Sequence, residues 1–197
     1  MKFITAYSLL LICIAGTAQE YDVYLDSRDG TAYKTVQIGS QVWLAENLNY
    51  AYEGPGAIFS RNTGLADIFG RLYCWEVAKE VCPDGWHLPS DEEWTILADH
   101  LGGEAVAGGV MKEMSTYWVS LHEEASNESG FSALPGGLLE KPKDGSYPYM
   151  GEMGFFWSTQ EKSRSDAWFR YVKYDGTLLK AGGGDKEYGM SVRCLRD

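Results

Sequence analysis

The sequence predicts an α+β domain built on antiparallel sheet, and three observations predict it. Short segments with strand-like patterning occur in series at both ends of the chain, helical spacing is confined to the middle, and tight-turn dipeptides separate the segments. With 197 residues, 45% of them hydrophobic, the chain can bury a core without needing a metal or cystine scaffold simply to fold.

Taken in order, residues 21–25 alternate apolar and polar side chains and read as a strand. Asp26-Ser27-Arg28-Asp29-Gly30 is a turn; the acidic spacing of an EF-hand calcium loop is absent. Residues 33–38 and 41–45 are two strands around Gly39-Ser40, a separation that fits a two-residue hairpin. Residues 47–70 are rich in Gly and Asn and read as a long loop. Leu72, Trp75, Ala78 and Lys79 recur at helical spacing, which predicts a helix over 71–81, stopped by Pro83-Asp84-Gly85. Ser90 opens a second helix. Its hydroxyl can accept from the amide of Glu93, whose carboxylate can reach back to the amide of Ser90, and this capping box accounts for the acidic run Asp91-Glu92-Glu93. Trp94, Leu97, Ala98 and Leu101 form its apolar stripe, and Gly102-Gly103 ends it. A third helix over 105–114 is weakened by Gly108-Gly109. Residues 130–152 are loop-like, and strands follow at 155–159, 167–174, 177–180 and 190–195, with Asp175-Gly176 as a hairpin signal.

Composition narrows the function. A net charge of −11 argues against nucleic acid and anionic lipid as partners, both of which call for a basic face. Lys2, the apolar run 3–14 and the small residues Gly16-Thr17-Ala18 have the layout of a secretory signal peptide over residues 1–18, leaving 19–197 as a single domain with no transmembrane span. A lipoprotein signal would place a small residue before its acceptor cysteine, whereas Ile12 precedes Cys13. Export leaves Cys74, Cys82 and Cys194, an odd number that suggests one disulfide and one spare thiol. Zinc is disfavoured: there is no Cys-x-x-Cys pair, and His87, His100 and His122 show no ligand spacing.

Residues 75–101 resemble the two-helix segment of the C-type lectin-like fold at Trp75, Ala78, Cys82, Gly85, Leu88, Ser90, Glu92 and Glu93. A closer resemblance spans nearly the whole chain after the signal. It is carried by Trp43-Leu44-Ala45-Glu46-Asn47-Leu48, Gly85-Trp86-His87-Leu88-Pro89-Ser90, Gly130-Phe131-Ser132-Ala133-Leu134-Pro135-Gly136-Gly137, Phe156-Trp157-Ser158-Thr159 and Gly189-Met190-Ser191-Val192-Arg193-Cys194. By these motifs the chain resembles the Fibrobacter succinogenes major paralogous domain family, exported bacterial proteins grouped with C-type lectin-like folds. The resemblance implies a C-type lectin-like architecture of antiparallel sheets, two main helices and long loops. It also implies a disulfide between Cys82 and Cys194, with Cys74 free. The Glu-Pro-Asn, Gln-Pro-Asp and Trp-Asn-Asp tripeptides of calcium-dependent lectins are absent, so no calcium ligand and no cofactor carries over.

The expected function is that of a non-catalytic binding or adhesion module at a bacterial cell surface, recognising glycan or protein without calcium. Most tryptophans lie in framework motifs and are expected in the core. The ligand-binding candidates are therefore Trp118, Lys141, Tyr147 and Tyr149, all in the irregular middle of the chain. A second reading is an enzyme similar to formylglycine-generating oxidases, since His87-Leu88-Pro89-Ser90…Trp94 resembles a segment of theirs. Those enzymes use a pair of late cysteines, and only Cys194 lies late here. A structural component of a surface complex is the third. Mass spectrometry of the exported chain should find it beginning at Gln19; a lipid on Cys13 would contradict the cleavage reading.

Overall fold

The computed structural model describes residues 20–54, 58–59, 63–120, 122–140 and 147–197. The expected signal segment 1–18 and the candidate Lys141 lie outside the described residues. In chain order the elements are β1 (Tyr21–Leu25), β2 (Ala32–Ile38), β3 (Gln41–Leu44), β4 (Ile58–Phe59), α1 (Thr63–Phe69), β5 (Leu72–Tyr73), α2 (Trp75–Ala78), β6 (Trp86–His87), α3 (Asp91–His100), α4 (Glu104–Met111), β7 (Met153–Glu161), β8 (Asp166–Lys173), β9 (Lys180–Asp185) and β10 (Leu195–Arg196). The first sheet has the order β1-β2-β3-β10-β6, the second β7-β8-β9, and β4 and β5 form a small pair. Among the described residues the named strands pair antiparallel, with only isolated parallel bridges such as Phe156–Ser191, so the architecture is α+β.

Gly39-Ser40 joins β2 to β3 with Ile38 paired to Gln41, as a two-residue hairpin requires. The capping box of α3 is complete. Ser90 Oγ accepts from the Glu93 amide at 3.1 Å, and Glu93 accepts from the Ser90 amide at 2.7 Å. Asp91 has a further role: with Glu104 it holds the buried guanidinium of Arg170, tying β8 to the starts of α3 and α4. Trp43, Trp94, Phe131 and Phe156 interlock in the core, with ring centroids 4.9 Å apart for Trp43–Trp94 and 5.7 Å for Phe131–Phe156. Such pairs add about 0.5–1.5 kcal/mol each beyond the area they bury.

Three local expectations are corrected. The stretch expected as a helix over 71–81 is the strand β5 followed by the four-residue α2. Tyr73 exchanges backbone hydrogen bonds with Met190 and pairs with Ile58, so tertiary strand pairing overrides helical spacing there. The loop expected over 47–70 contains β4 and α1. The strand expected at 177–180 begins only at Lys180, because the preceding segment docks on α4 instead. The Leu179 amide donates to Glu104 O and the Gly109 amide to Thr177 O. A side chain on Gly108 would collide with the backbone of Leu178, so the glycines that weaken α4 permit this approach. The ammonium of the buried Lys112 closes the turn, donating to the carbonyls of Lys173, Tyr174 and Gly176. Burial pushes its pKa down to about 8.

The segment 189–195 runs between the sheets rather than forming one long strand. It bridges Leu139, Tyr73 and Phe156 in turn before entering the first sheet beside Trp43 and His87. Cys194, fully buried on this segment, is joined to Cys82 with Cα atoms 5.9 Å apart, across a separation of 112 residues. Closing a loop of that size stabilises the fold by about 4–5 kcal/mol in the chain-entropy model. Cys74 is free and buried.

Arg193, on the same segment, is fully buried and forms no ion pair among the described residues, Glu46 and Glu113 acting on it only through space. Its guanidinium donates to Asn47 Oδ1 at 2.8 Å and 3.2 Å, to Leu44 O at 3.1 Å, to Ser132 O at 3.3 Å and to Phe131 O. It also lies 4.2 Å from the centre of the Phe131 ring. Burial holds its pKa down at about 9. Replacing Arg193 with Met should cost about 3 kcal/mol or more in urea unfolding, because several buried acceptors lose their donor at about 1–3 kcal/mol each. Lys at this position should recover little of the loss, since one ammonium cannot span the same acceptors. A loss below about 1 kcal/mol for the Met variant would refute the role given to this side chain.

Candidate functional site

A groove of about 380 Å³ opens between the β2–β3 hairpin, α1 and the segment following α4. The hairpin contributes Lys34 and Glu46, α1 contributes Asp67, and the segment after α4 contributes Glu113 and Tyr117. Glu46 is fixed by accepting from the Lys34 amide at 2.7 Å. Glu113 is half-buried; burial raises its pKa and Glu46 adds to the effect, against Arg193 and Lys34. Asn49 also lines the groove, and its Oδ1 is buried without a protein partner. Tyr117 is 43% exposed and braced by an edge contact to Phe69, with centroids 5.3 Å apart. The groove thus combines hydrogen-bonding carboxylate and amide groups with an exposed aromatic face. That combination suits a ligand rich in hydroxyl or amide groups, and its acidic rim disfavours anions.

The four ligand candidates fare differently. Trp118 is buried at 4% exposure, so its ring offers no stacking face; this corrects the expectation for that residue. It packs in the core, with the ammonium of Lys112 5.7 Å from its ring centre. Tyr147 is partly buried against the other core cluster. Tyr149 is 44% exposed, at a backbone φ of 64°. Lys141 falls outside the described residues. Val119 and Met150 are also exposed, and the Val119 amide donates to Gly151 O at 2.9 Å. Tyr117, Glu113, Asp67 and Asn49 had not been singled out from sequence. They come from separate segments, whereas other lining residues lie in the motifs: Ala45, Glu46 and Asn47 in Trp43–Leu48, Ser132 and Leu134 in Gly130–Gly137.

A second cluster surrounds His87. Its Nδ1 lies 2.6 Å from Asp197 and its Nε2 3.0 Å from Glu93. Both ring nitrogens meet carboxylates, so this is a clip between β6, α3 and the residue after β10. Among the described residues, no hydrogen bond joins Cys74 to a histidine, and no group of three or more His, Cys, Asp or Glu could hold a metal ion. No helix among the described residues is long and apolar enough to cross a membrane.

Two antiparallel sheets, two longer helices, a cystine to the penultimate segment and a loop-walled groove define an α+β domain with a candidate binding face. The chain belongs to the Fibrobacter succinogenes major domain family, whose model matches residues 36–196. No curated protein and no solved structure matches it.

The His87 clip should make stability pH-dependent. Burial lowers the imidazole pKa, but the hydrogen bonds to Asp197 and Glu93 outweigh this and raise it. A raised folded pKa gives stability that is full below the unfolded value near 6.5 and is lost as pH rises through the folded value. His87→Gln should therefore cost more at pH 6 than at pH 9 in thermal unfolding. An equal cost at both would remove the imidazolium from the account.

Proposed function

We propose that this chain is an exported, non-catalytic binding module of a bacterial cell surface, with a C-type lectin-like architecture, that takes glycan or protein ligands without calcium. The observation that carries the reading is the groove, a concave polar surface with Tyr117 exposed at its mouth. An aromatic ring beside carboxylate and amide acceptors can stack on sugar C–H faces or apolar side chains while hydrogen-bonding to hydroxyls or amides. The C-type lectin-like architecture is supported by the Cys82–Cys194 bridge and by the capped α3 that follows Cys82. The signal-like layout of residues 1–18 supports export. The proposed binding surface is the groove with Tyr117 at its mouth; exposed Tyr149, on the turn that accepts from the Val119 amide, is its proposed secondary contact.

The oxidase-like reading gains no support from the cysteines, because Cys194 is tied to Cys82 and Cys74 is buried. The test is a glycan and protein-ligand array read with calcium and with chelator. Binding should be unchanged by chelator and weakened about tenfold or more by Tyr117→Ala, as for an exposed aromatic anchor. Tyr149→Ala should weaken it less, and neither change should move the melting temperature appreciably. Binding that disappears with chelator, or survives Tyr117→Ala undiminished, sinks the proposal.

A further inference from the structure

Strand β1 ends the first sheet, with β2 on one side and, among the described residues, no strand on the other. Its pattern runs opposite to that of an ordinary surface strand. Val23 is 70% exposed and Leu25 64%, with Tyr21 on the same face at 39%, while Tyr24 packs on Trp86 behind. The strand has no proline, no lysine and no bulge, and its one charge, Asp22, sits off the exposed apolar stripe. It also lies outside the residues matched by the family model, which begin at 36.

The direction of its backbone groups follows from the pairing. The Asp26 amide donates to Thr31 O, so Asp26, Tyr24 and Asp22 point their amides and carbonyls toward β2. Lys34, opposite Val23, instead serves β3, its carbonyl accepting from the Ala45 amide. Tyr21, Val23 and Leu25 therefore present their amides and carbonyls along the open edge, and the same three residues present the exposed apolar side chains.

We infer that β1 pairs with β1 of a second copy of this chain, antiparallel and centred on Val23, joining the two first sheets into one. In this register Val23 faces Val23, Tyr21 faces Leu25, and Asp22 faces Tyr24. About six backbone hydrogen bonds close the seam, two for each of three hydrogen-bonded pairs. The apolar stripes become continuous and no like charges oppose each other within Tyr21–Leu25; Glu20 falls opposite Asp26, whose buried carboxylate is already neutralised by Arg28 at 2.7 Å. Shifting the centre to Asp22 sets two carboxylates face to face, and a shift by one residue of pairing turns the stripe against the other copy's inner face. The segment is thus self-complementary in one register, which favours a second copy over an unrelated strand. Ala32 and Lys34, across from Leu25 and Val23, line the groove described above. A two-fold axis perpendicular to the joined sheet then opens both grooves on the same side, as a bivalent module requires.

Sedimentation velocity of the purified chain across a concentration series should show a monomer–dimer equilibrium. Val23→Lys places two ammonium groups at the symmetry axis and should weaken the dimer about tenfold or more, with the melting temperature of the monomer confirming an intact fold. In a Val23→Cys variant the paired Cα atoms would stand about 5.5 Å apart, within reach of a disulfide, so mild oxidation should give a covalent dimer. Asp22→Cys should not cross-link. A chain that stays monomeric throughout, a dimer that persists in Val23→Lys, or equal cross-linking from Asp22→Cys overturns the inference, and none of these outcomes depends on a ligand.

Discussion

The buried guanidinium of Arg193 is the constraint around which the rest of the molecule is arranged. It sits where the β3 end, the 130–132 turn and the 189–195 segment meet, and it donates from that segment to the first two and to Asn47. Asn47 completes the junction, accepting from Arg193 and donating to Phe69 O at 2.9 Å and Ser191 Oγ at 3.3 Å. A buried cation without a carboxylate is costly. The cost is offset here by directional bonds to carbonyl dipoles and by the Phe131 ring beneath the charge. Three sequence motifs that look unrelated along the chain are parts of this one hydrogen-bonded junction.

Where local chemistry determines structure, the sequence was readable. The Ser90–Glu93 capping box, the Gly39-Ser40 hairpin and the buried framework tryptophans follow from side-chain reach, turn geometry and apolar area, all local quantities. The segment around Tyr73 was not readable, because its partners Met190 and Ile58 are distant in sequence. Strand β9 escaped for another reason. Its core is Gly182-Gly183-Gly184, a composition that suggests a turn, yet the Phe169 ring occupies the space that side chains on Gly182 and Gly184 would need. The groove was least legible: two motifs supply part of its lining, but Asp67, Glu113 and Tyr117 come from segments that share no spacing or motif with them.

Aromatic residues divide into two populations that composition alone cannot separate. Trp75 and Trp157 are buried and spend their indole N–H groups on main-chain carbonyls, Ser158 O and Tyr73 O, each at 2.8 Å. They serve as cross-braces between the second sheet and the β5–α2 segment. Tyr117 and Tyr149 keep their faces toward solvent and brace only one edge, against Phe69 and Phe155. Lodging the first population in the framework leaves the second free to vary without loss of the fold.

The position of β10 has a consequence for how the molecule is made. This strand is the last element in the chain, yet it sits inside the first sheet between β3 and β6, and the segment leading to it carries Arg193 and half of the disulfide. Until those residues are available, β3 and β6 have no strand between them and the carbonyls of Leu44 and Phe131 lack their donor. The core between β3 and β6 therefore cannot close before residues 189–195 are in place. The cystine can form only once both ends of that 112-residue span have been made, so the bridge marks the completion of the core rather than its start.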